Sequence, residues 1–197
     1  GRRRFAAVDI FVGWGVATGI FVLGGVFLHV PFTWIVAGLW AAILPCSWLA
    51  WRRNGEAGID PAAIRVLWRV IILALPLLFL VSAMRASQWD EFAHWLPNAQ
   101  YILRHDAFPG PGMPASTSAY PAYPYTLPLI TYLASKLAGG FVENAGAIAN
   151  LFLHLLLAPI YLSVFRSGRQ DGENRDKRWG TAAFGILGVT VLSTVFV

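Results

Sequence analysis

The arginines of this chain do not interrupt its long apolar runs; they collect at the ends of them. Nearly uncharged stretches occupy about residues 8–29, 32–51, 66–84, 121–138, 144–165 and 181–197. Most approach the roughly 20 residues that a helix needs to cross a hydrocarbon core about 30 Å thick. Of the 197 residues, 57% are hydrophobic and 13% charged, where an ordinary soluble domain is roughly a quarter charged. A soluble core would have to bury each of these helices on all sides. The pattern predicts an all-α, polytopic transmembrane protein.

The net charge of +5 does not point to nucleic acid, because arginine beside an apolar run is first of all a topology signal. Cys46, the single cysteine, lies inside an apolar run and has no internal disulfide partner. The chain opens on Gly1 and closes on Val197 within an apolar run, as expected of an N-terminal piece of a longer protein.

Arg2, Arg3 and Arg4 precede the first run. That run is too long for the core of a signal peptide and lacks a small-residue cleavage pattern. Gly15 and Gly19 within it have the spacing of a close helix contact, or of ordinary glycine content in a membrane helix. His29-Val30-Pro31 predicts a turn, and Trp34 and Trp51 sit where interfacial anchors belong. Arg52 and Arg53 stop the second run. Asp60-Pro61 reads as an N-cap and first-turn proline of a helix that carries Arg65 and Arg69 and then turns apolar. Pro76 is a candidate kink in that helix.

Residues 85–120 form a long polar loop. Within it, 90–104 has a helical repeat. Phe92, Trp95, Leu96, Ala99, Ile102 and Leu103 recur on one side, with Asp90, Glu91, His94 and Asn98 toward the other. Pro97 suggests two short pieces. Such a helix is expected to lie along the membrane surface. Phe108 to Pro114 is rich in proline and glycine and predicts an irregular loop. Tyr120-Pro121-Ala122-Tyr123-Pro124-Tyr125 opens the fourth run, which contains Lys136 and ends at Gly139-Gly140. His154 and Pro159 lie inside the fifth, and the charged link Arg166 to Arg178 precedes the sixth.

The excess of arginine at both ends of the first two spans puts those ends in the cytoplasm and the 85–120 loop outside. The link 166–178 conflicts with this. Two full crossings by the fourth and fifth runs put it outside, whereas its arginines favour a re-entrant fourth run. The lengths of the two runs and the short turn between them favour two crossings.

Asp90 and Glu91 are the sharpest chemical feature. A carboxylate near a membrane surface can take a proton from a hydroxyl nucleophile or bind a divalent metal. Adjacent helical residues point about 100° apart, so the two acids have different roles. His94 lies within helical reach of both, placed to orient a carboxylate, contact phosphate or join a metal site. The plainer reading makes Asp90 a helix cap and Glu91 a solvated residue. Trp89, Trp95 and Tyr101 are interfacial anchors or faces for a sugar ring. Arg85 and Arg104 flank the acids and suit a phosphate, of lipid or of a lipid-linked substrate. His105 and Asp106 extend the site or end the helix in water. His154, an ionisable residue inside an apolar run, is a functional suspect or a hydrogen bonder to a neighbouring helix. Tyr120 and Tyr123 anchor the next helix or wall a cleft.

A hydrophobic helix, then Trp89-Asp90-Glu91-Phe92-Ala93-His94-Trp95 in a large external loop, then a Tyr-Pro-rich start to the next helix, resembles the membrane-embedded GT-C glycosyltransferases. The closer likeness is to bacterial members that use polyprenyl-phosphate-linked sugars, and it covers about residues 66–165. It implies a GT-C-like fold in the bacterial inner membrane. It also implies transfer of a sugar from a polyprenyl-phosphate donor to a lipid, glycan or protein acceptor at the external face. By the same resemblance Asp90 is the base, Glu91 its companion, and His94 the histidine of the run, with Tyr120-Pro121 or Tyr123-Pro124 as the second motif. No resident cofactor is implied, a divalent metal remaining open. Two other readings stand beside it. One is a transporter or flippase working through mid-membrane groups such as His154. The other is a non-enzymatic subunit of an envelope polysaccharide system.

Overall fold

A computed structural model of the chain describes residues 6–53, 61–167, 183 and 185–187. It is helical throughout, with no strand among the described residues. Helix α1 is Ala6–Val22, α2 Phe32–Arg53, α3 Pro61–Ala83, α4 Leu96–His105, α5 Thr126–Ala138 and α6 Ala145–Ser167. The charged flank at Arg2 to Arg4, the Asp60 cap and most of the link and sixth run lie outside the described residues.

Among the described residues three segments are long and apolar enough to cross a membrane: Val8–Phe27, Phe32–Leu49 and Ile64–Ala83. Their surfaces are what lipid-facing helices require. Trp34, Trp40, Trp48, Trp68, Leu44 and Phe79 are all exposed, a cost in water that disappears in hydrocarbon. Arg52 lies 4.0 Å over the Trp48 ring, a cation–π contact near the end of α2. Pro45, Pro76 and Pro159 are all accommodated inside helices.

The fourth apolar run departs from its expected bounds. Residues 121–125 are turn, bend and irregular backbone, and α5 begins only at Thr126. Its 13 residues span about 20 Å at 1.5 Å each, short of a core about 30 Å thick. Tyr-Pro-Ala-Tyr-Pro explains the late start, because residues before proline are driven out of the helical region.

The chain divides into two compact units. One comprises Gly1–Gly13, Ala57–Leu80 and Asn150–Val197. Its described core joins Val70 and Ala74 of α3 to Leu155 and Ala158 of α6. Here His154 is half-buried, with Nδ1 2.8 Å from the Asn150 carbonyl one turn back in the same helix. The bond expected to a neighbouring helix is thus made within its own.

The other unit comprises Trp14–Glu56 and Val81–Ala149. Phe21, Phe32, Ile35, Tyr101, Ile102, Leu129 and Tyr132 form its core. The Phe21, Phe32, Phe108 and Tyr132 rings meet edge to face. Close approach is made possible by Gly24 and Gly25, where α1 widens into a π-helical turn over Leu23–Phe27. A Cβ on Gly25 would lie 2.6 Å from Phe32 Cε1, and one on Gly24 2.8 Å from Ile35 Cδ1. Gly15 and Gly19 have open space instead, so their spacing marks no contact here.

Candidate functional site

The site is built around a local conflict at Pro97. Proline has no N–H, and its ring collides with the carbonyl four residues back, here Ala93. The chain resolves this by widening rather than breaking. Glu91–Trp95 forms a π-helical turn that runs directly into α4, with the Leu96 N–H bonded to the Glu91 carbonyl. The freed Ala93 carbonyl then accepts the Ala119 N–H at 2.8 Å and the Ser118 hydroxyl at 3.5 Å. A strap over residues 116–125 is thereby tied across the turn.

The extra residue in a π turn changes helical phase by roughly 100°. Beyond the turn the expected apolar side holds, with Ala99 and Ile102 fully buried. Before and within it the expectation fails. Phe92 is 58% exposed, whereas His94, read from the sequence as facing the polar side, is 3% exposed. Asn98, on the expected polar side but beyond the turn, is fully buried too, so the departure is not confined to the turn. Tyr101 is core rather than interface anchor, and its hydroxyl donates to the Pro114 carbonyl at 2.8 Å.

The two acids separate cleanly. Glu91 Oε2 accepts the N–H groups of Ser87 at 2.7 Å and Gln88 at 2.9 Å, neutralising orphan donors at the helix start. Glu91 is the cap, a role assigned to Asp90 in the plainer sequence reading. Asp90 is exposed, makes no side-chain cap and has no hydrogen-bond or ion-pair partner among the described residues. Arg85 and Arg104 are exposed. The backbone beside Arg85 is held by Glu143, whose Oε1 accepts the Ala86 N–H at 2.8 Å, while Asn144 Nδ2 donates to the Ser82 carbonyl.

Five of the predicted site residues form one aromatic cluster. The His94 ring lies 4.5 Å from Trp95, 4.5 Å from Tyr123 and 5.7 Å from Tyr120, centroid to centroid. Trp95 meets Tyr123 at 5.2 Å, and Trp89 meets Tyr120 at 6.3 Å. Among the described residues neither ring nitrogen of His94 has a hydrogen-bond partner, nor does Asn98 Oδ1; Asn98 Nδ2 donates to the Tyr120 carbonyl at 3.2 Å. Among the described residues no three His, Cys, Asp or Glu side chains converge as a metal site would require.

At the other end of α4 stands a polar centre that sequence reasoning left at the end of a helix in water. Asp106 caps α4 in the left-handed conformation, φ 53° and ψ 25°, which aspartate tolerates better than most residues. Its carbonyl accepts the Phe32 N–H, and its carboxylate accepts the Thr33 N–H at 3.0 Å and the Thr33 hydroxyl at 2.9 Å. The Tyr132 hydroxyl donates to it at 2.8 Å, and Lys136 Nζ lies 3.6 Å away. Asp106 is therefore the N-cap of α2, supplied from another part of the chain. Partial burial pushes its pKa up, but the Thr33 N–H, the Tyr132 and Thr33 hydroxyls and Lys136 outweigh this and hold it below the usual carboxylate value. The one local signal was the absence of any capping side chain at His29-Val30-Pro31.

Compared with protein-family models, curated proteins and solved structures, the chain matches none.

Proposed function

We propose that this chain belongs to a membrane-embedded glycosyltransferase of GT-C type. It takes a sugar from a polyprenyl-phosphate donor and passes it to a lipid, glycan or protein hydroxyl at the external face of the bacterial inner membrane. One observation carries the reading. Of two adjacent acids, Glu91 is consumed by backbone N–H groups while Asp90 is left exposed and unpartnered next to an aromatic cluster. A carboxylate held by its neighbour's cap yet free at its own oxygens suits a general base.

In this reaction Asp90 accepts the proton of the acceptor hydroxyl as its oxygen attacks the anomeric carbon. The bond from that carbon to the phosphate oxygen breaks, and polyprenyl phosphate departs with the electron pair. Direct attack inverts the anomeric configuration. The exposed guanidinium groups of Arg85 and Arg104 are the candidates to stabilise the leaving phosphate. Glu91 serves by fixing the turn that carries Asp90, and the π turn and its aromatic neighbours lie at the membrane surface. The transporter reading has less support, since His154 Nδ1 is engaged within its own helix.

Asp90→Asn in the membrane-reconstituted protein is expected to lower transfer from a polyprenyl-phosphate sugar by about 100-fold or more, the scale of a lost general base, with unchanged expression. Transfer by that variant at the unmodified rate would reject Asp90 as the base.

A further inference from the structure

In the 14–56 and 81–149 unit the buried side-chain atoms without a protein partner among the described residues are Trp14 Nε1 and Thr18 Oγ1 on α1, and those of His94 and Asn98, which lie under residues 116–125. Three buried side-chain atoms one helical turn apart, His94 Nδ1, His94 Nε2 and Asn98 Oδ1, have no protein partner. Leaving such groups unsatisfied costs stability, because they give up water without gaining a partner. They are roofed by a thin segment. Tyr120 and Tyr123 of that segment pack their rings against His94 and are still 49% and 43% exposed. Its ties to the helix are the Ala119 N–H and Ser118 hydroxyl on the Ala93 carbonyl and the Asn98 amide on the Tyr120 carbonyl, with ring contacts.

We infer that the strap 116–125 is an opening cover, and that His94 and Asn98 beneath it are the seat of an uncharged, hydroxyl-bearing ring. The chemistry of the orphan atoms selects this class. A neutral imidazole offers one N–H donor and one acceptor nitrogen, and Asn98 Oδ1 adds a second acceptor. An anion supplies acceptors only and leaves two of the three unmet. A cation supplies donors only and leaves the N–H unmet. A hydroxyl both donates and accepts, and a ring with several of them meets all three groups. The Trp95 and Tyr123 faces beside His94 match the C–H face of such a ring. The inference rests on the reading above in taking this cluster as the substrate's place, but it concerns binding and is measured without turnover.

The test uses the whole chain in lipid nanodiscs, with diethyl pyrocarbonate as the imidazole reagent and mass spectrometry to locate its product. His105, exposed at the end of α4, reports the reagent's activity. His94 is expected to react slowly, and about tenfold faster in Ala119→Pro, which removes the N–H tying the strap to Ala93. Tyr123→Gly, which thins the cover without altering that tie, is expected to act in the same direction. Saturating methyl glucoside, galactoside or mannoside is expected to slow reaction at His94 by about fivefold or more, with inorganic phosphate and tetramethylammonium ineffective. Four outcomes overturn the inference: a His94 inert in every form, no protection by any glycoside (an internal water only), protection by phosphate instead, or equal protection of His105. Protection intact with transfer absent would sink the glycosyltransferase and spare the seat. Transfer intact without protection would do the reverse.

Discussion

The two ends of α4 treat their polar groups in opposite ways. At the C-terminal end Asp106 is fully used: its carboxylate takes three hydrogen bonds and a lysine, and its carbonyl a fourth donor. At the other end His94 and Asn98 are enclosed more deeply, 3% and 0% exposed against 27% for the Asp106 side chain, yet three of their atoms have no hydrogen-bond partner among the described residues. A satisfied polar centre specifies one arrangement of the elements it joins, here α2, α4 and α5. An unsatisfied one gives up stability that a better-paired or apolar side chain would have kept. The first end reads as architecture and the second as a place kept for something else.

The largest effect that tests this contrast is at Asp106. Asp106→Ala strips the cap from α2, leaves the Tyr132 hydroxyl without its acceptor and removes the counter-ion of Lys136, which keeps the Thr33 hydroxyl at 3.2 Å. A loss of about 3 kcal/mol is expected in thermal or denaturant unfolding in detergent. A neutral result would mean that water replaces the carboxylate and that the two ends are not different in kind.

Titration gives the same contrast a sign. The Asp106 carboxyl is held below its ordinary value of 3.8. Its contribution is complete above that value and is lost as pH falls from there through the lower folded value. Stability of the unaltered chain is therefore expected to fall more steeply in acid than that of Asp106→Asn. Parallel curves would remove the carboxylate from the account.

His94→Phe should move the other way. It keeps an aromatic ring against Trp95, Tyr120 and Tyr123 and removes two unpaired nitrogens, a gain that outweighs the cost of its larger ring, so unfolding is expected to become harder by about 1 kcal/mol. Clear destabilisation would show that the imidazole has partners that matter to folding.

The smallest effect belongs to Pro97→Ala. A restored N–H gives the Ala93 carbonyl a helical donor that competes with Ala119. Faster amide exchange at Ala119 is expected, with global stability changed by about 0.5 kcal/mol or less. Unchanged exchange would separate the π turn from the hold on the strap.

Much of the architecture was legible in order along the chain. Apolar length and flanking charge were enough for the helices that can span a membrane, because those properties are local. The Asp90-Glu91-His94 run and the aromatic residues around it were equally visible, and Trp89, His94, Trp95, Tyr120 and Tyr123 do come together. The roles inside the run were not visible. An ideal 100° wheel put His94 beside the acids, while the proline three residues later widened the turn and carried it into the interior.

Sequence alone thus determined the helical class, the three described helices that can span a membrane and the residues of the aromatic cluster. Tertiary structure decided which acid is spent as a cap, which face of the turn is enclosed, and that α2 takes its cap from a residue 73 positions away. The physical reason is the range of the interactions. Hydropathy and proline sterics act within a few residues, but a hydrogen-bond donor or acceptor finds its partner in space, and nothing in its immediate neighbours records which one.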